Sequence, residues 1–176
     1  SSPWWTHNLH EVIRTFCRLL LASVLAIATS VASTTHRANA EQVNVLILGD
    51  SVASVLRWSP PSMKSLWKQP FAVTLEVWGC QKLVDPGCFA WVKLSALDQL
   101  KKNAGRFSEV VVIGTGYNDR IGTPFRDAVL AITQEAARQG VDVVWITYRQ
   151  VRHVRGKATT MNKQLGKLDP KIENLH

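Results

Sequence analysis

The chain has 176 residues, a formal net charge of +8, and 46% apolar against 19% charged residues. This is enough for one ordinary domain once any targeting segment is set aside, and the balance excludes wholesale disorder. The basic residues are scattered, apart from Lys101-Lys102 and the run Arg149, Arg152, Arg155, Lys157. No nucleic-acid-binding motif accompanies them, so no nucleic-acid partner is expected and the positive exterior reads as solvated surface.

The first segment reads as an address. Residues 19–35 carry no charge, Arg14 and Arg18 precede them, and small polar residues follow, ending in Ala38-Asn39-Ala40. A basic start, a short apolar middle and an A-x-A ending are the layout of a secretory signal peptide. The run is short for a bilayer span, which needs roughly 20 apolar residues, and Ser23, Thr29, Ser30 and Ser33 interrupt it. We therefore expect residues 1–40 to be a signal peptide cleaved after Ala40. A retained membrane anchor through residues 19–35 is the alternative. Either way, residues 41–176 form an extracytoplasmic domain, secreted or held in the cell envelope.

Residues 43–48, Val-Asn-Val-Leu-Ile-Leu, predict a buried strand that ends at Gly49-Asp50-Ser51. Glycine lets the chain turn sharply out of the strand and places Ser51 near the start of the next helix. There, amides and the helix dipole favour negative charge. Residues 73–78 alternate and end at Gly79. Cys80 and Cys88 follow, the even pair of the exported part, with a Pro86-Gly87 turn between them. In an oxidising compartment they are expected to form a disulfide. Metal binding is not expected, since no histidine is spaced near them.

Trp91, Leu94, Leu97 and Leu100 recur every three residues and predict a helix. Residues 110–113 form a third strand, mostly β-branched, that ends in Gly114-Thr115-Gly116-Tyr117-Asn118-Asp119. A helix is predicted from Pro124 to Gly140, with proline early and glycine just past the end. Residues 141–147 give a fourth strand, residues 158–168 a weaker helix, and residues 171–175 a candidate fifth strand. Continuous apolar strands alternating with helices argue for a doubly wound α/β fold with a mostly parallel sheet covered on both faces. Such sheets bind ligands beyond the carboxyl ends of their strands. Ser51, Gly79 and Asn118 close three successive strands on that rim. Taken singly, a Gly-Asp-Ser turn reads as an N-cap and Asn118 as a turn residue; their coincidence on one rim is the signal.

At these residues the chain resembles the SGNH hydrolases, also called GDSL-type esterases, named for Ser, Gly, Asn and His in four blocks. Residues 45–51 are similar to the nucleophile block, with Val52 where many members have leucine. Gly79 fits the glycine block, and Gly116-Tyr117-Asn118-Asp119 fits the Gly-x-Asn-Asp block. The resemblance spans residues 43–168 and implies a flavodoxin-like architecture and a serine esterase that cleaves a small acyl ester or an acylated glycan. It implies neither cofactor nor metal. Ser51 would attack the ester carbonyl, while the Ser51 N–H, the Gly79 N–H and the Asn118 side chain would hold the oxyanion. The family's base lies in a D-x-x-H block after the fifth strand, which residues 1–176 do not contain. His153 reads as a surface residue, and Glu173 stands where His176 would need an aspartate. The catalytic His and Asp are expected beyond His176, the chain reading as a piece of a longer product. A non-catalytic ligand-binding module is the alternative, as is the extracytoplasmic SGNH domain of a membrane O-acyltransferase.

Overall fold

A computed structural model describes residues 43–68 and 71–176. The segment of residues 1–40, including the predicted signal peptide or anchor, lies outside them. Four strands follow from the apolar runs: β1 (Asn44–Gly49), β2 (Ala72–Val77), β3 (Val110–Gly114) and β4 (Asp142–Trp145). Five helices accompany them: α1 (Val55–Trp58), α2 (Pro60–Trp67), α3 (Ala96–Lys102), α4 (Thr123–Gln139) and α5 (Arg155–Leu168). The strands pair in the order β2-β1-β3-β4, all parallel. This is the order of a doubly wound sheet, in which the chain starts centrally and moves outward to both sides.

Register decides which side chains meet. Leu46 pairs with Val111 and Leu48 with Ile113, and Val111 and Ile113 pair in turn with Val143 and Trp145. All six lie on one face, and each is at most 6% exposed. Leu100 of α3, Phe125, Val129 and Ile132 of α4, and Met161 and Leu165 of α5 complete this core. The opposite face is less evenly covered than the continuous apolar runs predicted. Ile47 is buried there, but Val144 is 38% exposed, so β4 alternates buried and exposed residues. Apolar composition alone did not reveal that one face of β4 stays partly open among the described residues.

Two predicted elements differ in the structure. The helix expected from Trp91 to Leu100 starts only at Ala96. Ser95 accepts a hydrogen bond from the Asp98 N–H while the Asp98 carboxylate accepts from the Ser95 N–H, a reciprocal capping box that fixes the start. Trp91 and Leu94 precede it in an exposed loop. The fifth strand expected at residues 171–175 is replaced at its start by a 3-10 turn, Asp169–Lys171. Strand pairing begins only where Leu175 lies beside Val143. Pro170 sits in the first turn of that 3-10 segment, where its fixed φ suits the turn and its missing N–H costs nothing. The helix read at 158–168 begins at Arg155, while α4 closes as expected on Gly140, which is left-handed at φ 72°.

Cys80 and Cys88 are joined in a disulfide, with Cα atoms 5.5 Å apart, an ordinary separation for such a link. Closing so short a loop removes unfolded-state entropy worth roughly 2–3 kcal/mol. Replacing both cysteines by serine is expected to lower the unfolding free energy by about that much. Chemical denaturation checks this, and an unchanged midpoint refutes it.

Candidate active site

The rim is set by the register at the ends of the strands. Gly49 pairs with Val77 on one side and Gly114 on the other. Ser51 and Gly79 therefore stand two residues past a shared rung, and Asn118 four residues past the same rung. The sheet brings the three predicted residues to adjacent loops at one edge. An added Cβ on Gly49 would lie 2.5 Å from the Ala53 Cβ, so only glycine lets the Ser51 turn fold back so tightly.

Ser51 is exposed in a turn at residues 51–54, which the Ser54 hydroxyl steadies by donating to the Ser51 carbonyl at 2.5 Å. The helix expected near Ser51 is a single turn, α1, interrupted by Ser59-Pro60 and continued as α2. One turn has little macrodipole, so charge stabilisation at Ser51 falls on local N–H groups instead.

Three hydrogen-bonded groups tie the rim loops together, and the sequence reading missed all of them. The first is Asp50, fully buried beneath Ser51. Its carboxylate accepts the Val52 N–H at 2.9 Å, the Thr115 hydroxyl lies 3.4 Å away with its proton directed mainly to Gln81, and the Gly116 and Tyr117 N–H groups add to the positive environment around it. It thus joins the serine turn to the loop after β3. Burial raises its pKa above the ordinary carboxylate value, and these four groups pull the other way. The second is the Gln81 carbonyl, which accepts from the Thr115 hydroxyl at 2.9 Å and from the Asn118 Nδ2 at 3.2 Å. It joins the loop carrying Gly79 to the loop carrying Asn118. The third is Asp119, whose two carboxylate oxygens receive the Leu83 N–H at 3.0 and 3.2 Å.

Gly79 is half-buried, and a Cβ added there would meet only the Phe89 ring, at 3.8 Å. Space for a ligand, rather than crowding, characterises this position. Cys80, beside it, is left-handed at φ 61°. Non-glycine residues rarely adopt that conformation unless surrounding structure holds them there. The disulfide, the Cys88 N–H bonded to the Cys80 carbonyl at 3.2 Å, and the anchored Gln81 supply the hold. In Asn118, one N–H of the side-chain amide is engaged with Gln81, which leaves the other for a ligand.

Beneath the rim, Tyr148 is buried. Its hydroxyl donates to the Thr115 carbonyl at 2.7 Å and accepts from Trp145 Nε1 at 3.1 Å. Burial pushes this phenol far above its ordinary range, so it stays neutral and structural. Lys157 Nζ donates to the Tyr117 carbonyl at 2.7 Å, bracing the Asn118 loop from α5.

Neither described histidine touches the Ser51 hydroxyl. His153 is exposed in the loop after β4. His176 runs alongside β4, its backbone bonded to Val143 and Trp145 and its Nε2 3.8 Å from Asp142. Among the described residues no three His, Cys, Asp or Glu side chains converge as a metal site would need. No described helix is long and apolar enough to cross a membrane.

Asp119 gives the site a titration. Burial raises its pKa from 3.8 to about 6, against the Leu83 N–H and the positive charges of Lys157 and Lys82. A carboxyl with a raised folded pKa binds more protons folded than unfolded. Its contribution to stability is present below about 3.8 and lost as pH rises through about 6. Asp119→Asn removes this dependence. Relative to that variant, the natural protein should lose unfolding free energy between about pH 4 and about pH 7. Denaturant titrations at the two pH values check this; a constant difference between the two proteins refutes it.

The arrangement has known counterparts. TesA superimposes with a TM-score of 0.54 over 75% of this chain and 76% of TesA, at 16% identity. AlinE4, an SGNH-hydrolase family esterase, superimposes with a TM-score of 0.51 over 77% of this chain and 75% of that one, at 13% identity. The fold is that of the SGNH hydrolases. At these identities the likeness is one of fold, and sites are argued from the residues themselves. No protein-family model matches the chain, and no curated protein sequence matches it. The described residues all fall within one compact unit.

Proposed function

We propose that the protein is an exported serine esterase that cleaves carboxylic esters through an acyl-Ser51 intermediate. One observation carries the reading: Asp50, the Gln81 carbonyl and Asp119 lock three rim loops into one frame, and that frame presents Ser51, Gly79 and Asn118. Catalysis by oxyanion stabilisation needs donors fixed before the charge appears. The buried carboxylates provide that fixity at the base of an open rim.

In the proposed reaction, the Ser51 Oγ attacks the ester carbonyl carbon and gives its proton to a general base. The oxyanion is held by the Ser51 and Gly79 N–H groups and by the free Asn118 N–H. The intermediate collapses to acyl-Ser51, and the alcohol leaves with the proton returned by the base. Water then attacks the acyl carbon by the same route, releasing the acid and restoring Ser51. Neither described histidine is bonded to Ser51: His153 is solvent-exposed in the loop after β4, and His176 is bonded along the outer edge of β4 to Val143 and Trp145. The Cys80–Cys88 disulfide supports the exported setting.

The test is labelling by a fluorophosphonate, which reacts with activated serines. Protein purified from its host should carry one adduct, mapped by peptide mass spectrometry to Ser51. A folded protein that stays unlabelled there would favour the second reading, a rim that binds an ester-like ligand without turning it over. That reading draws on the absence of a described histidine beside Ser51.

A further inference from the structure

The chemistry proposed for Ser51 leaves unused a group of cations on the far side of Asn118. A cavity of about 300 Å³ opens there, with Lys82, Asp85, Asn118, Asp119 and Arg120 in its walls. A shallower groove shares Asn118, Asp119 and Arg120 and is bounded by Lys157. The three cations come from three separate elements: the loop after β2, the loop after β3, and α5. Convergence of this kind is different from a solvated helix face, where neighbouring charges share one element.

None of the three makes a contact ion pair, although Lys82 and Lys157 both act on the Asp119 carboxylate through space. Among the described residues the ion pairs are Arg126–Asp127, Arg138–Glu135 and His176–Asp142, all elsewhere. Lys157 spends one N–H on the Tyr117 carbonyl at 2.7 Å and keeps its other two. The opposing acids are Asp85, which is exposed, and Asp119, which is buried and occupied with the Leu83 N–H. The wider rim reinforces the sign. Tyr117 Oη donates to the Arg149 carbonyl at 3.1 Å, placing the segment that carries Arg149, Arg152 and Arg155 beside the same loop. With Lys82, Arg120 and Lys157 set against Asp85 and Asp119, the two adjoining spaces carry an excess of positive charge that favours ligands of the opposite sign, and a guanidinium suits the planar or tetrahedral oxygens of a carboxylate or phosphate.

We propose that this cavity holds an anionic group, a phosphate or carboxylate, carried by the ester that Ser51 cleaves. The proposal rests on the esterase reading for its reacting bond and on the cation cluster for its specificity. Asn118 links the two, since its side chain belongs to both the oxyanion site and the cavity wall. An anion bound by Lys82 and Arg120 sets the distance and direction of the scissile carbonyl from Ser51. Neutral esters reach the same serine without that anchor.

The test has a binding arm and a turnover arm, using the full chain and the variant Lys82→Gln/Arg120→Gln. Neither side chain makes a structural hydrogen bond, so folding should survive, and Arg120→Gln alone provides a milder version. In the binding arm, NMR titrations compare glycerol 3-phosphate, glycerate and glycerol. At least one of the two anions should bind at low salt, glycerol should not, and the double variant should weaken anion binding at least tenfold. The preferred anion distinguishes a phosphate from a carboxylate ligand. Glycerol binding as tightly as the anions, or anion binding untouched by the double variant, overturns the proposal. In the turnover arm, the preference in kcat/KM for acetylated glycerol 3-phosphate or glycerate over acetylated glycerol should fall about tenfold in the double variant. Anion binding without turnover of any ester refutes the esterase reading and leaves the anion site standing. Turnover of neutral esters without anion binding does the reverse.

Discussion

Ser51→Ala is expected to remove nearly all ester turnover while leaving the unfolding midpoint where it was. Its side chain is exposed and makes no hydrogen bond among the described residues; the turn is held through the Ser51 carbonyl, which the variant keeps. Substitutions at such exposed positions usually change stability by less than about 0.5 kcal/mol. Turnover by the proposed route, by contrast, has no other path to the acyl intermediate. Asn118→Ala separates the nucleophile from its frame. Losing one oxyanion donor commonly slows reaction roughly 100- to 1000-fold. Here the same truncation also removes the hydrogen bond to the Gln81 carbonyl, worth about 1 kcal/mol of stability. The two variants should therefore differ in kind: one inactive and fully stable, the other slow and slightly softened. Steady-state kinetics beside thermal unfolding reads both. Appreciable turnover by Ser51→Ala would place the chemistry elsewhere.

Much of this rim was legible in the sequence because strand ends announce themselves. Apolar, β-branched runs stop at Gly49 and Gly114, and the residues after them fall at one edge of any parallel sheet. The loop interlock was not legible. Asp50 and Asp119 each follow or precede a residue that draws attention, and a carboxylate in a turn ordinarily reads as solvated. Only the three-dimensional path shows Asp50 meeting the Gly116 and Tyr117 N–H groups, and Asp119 meeting Leu83, 36 residues away in sequence. The late start of α3 could have been found. Ser95 followed by Asp98 is a capping pair, and it outweighed the three-residue spacing from Trp91 because the helix needs its first N–H groups satisfied. The cation cluster was hidden for another reason. Lys82, Arg120 and Lys157 are far apart in sequence, and each reads singly as surface. Only the loops after β2 and β3, together with the start of α5, bring them around two adjoining spaces that share Asn118, Asp119 and Arg120.

Gly116→Ala is expected to destabilise the whole domain by on the order of 4 kcal/mol, the sum of three local penalties. The backbone at Gly116 has φ 135°, a region that residues with a side chain rarely adopt. An added Cβ would press into Tyr148, lying 2.8 Å from its Cζ and closer still to its hydroxyl. Tyr148 has nowhere to go. Its ring packs edge-on against Tyr117 at 5.0 Å and against Phe125 at 5.9 Å. Its hydroxyl is held between the Thr115 carbonyl and Trp145 Nε1, and displacing it leaves both groups buried without a partner. The damage then spreads to function, because the Gly116 carbonyl accepts the Asp119 N–H at 2.9 Å and the Gly116 amide adjoins the buried Asp50 carboxylate. Gly105→Ala is the control: it too has positive φ, at 75°, but nothing lies within 4 Å of its added Cβ. That variant should lose only about 1 kcal/mol, the conformational part alone. Adding Tyr148→Phe to Gly116→Ala should recover part of the loss by removing the nearest colliding atom. Equal stability of Gly116→Ala and Gly105→Ala in denaturant would mean that the contact between Gly116 and Tyr148 does not constrain the rim.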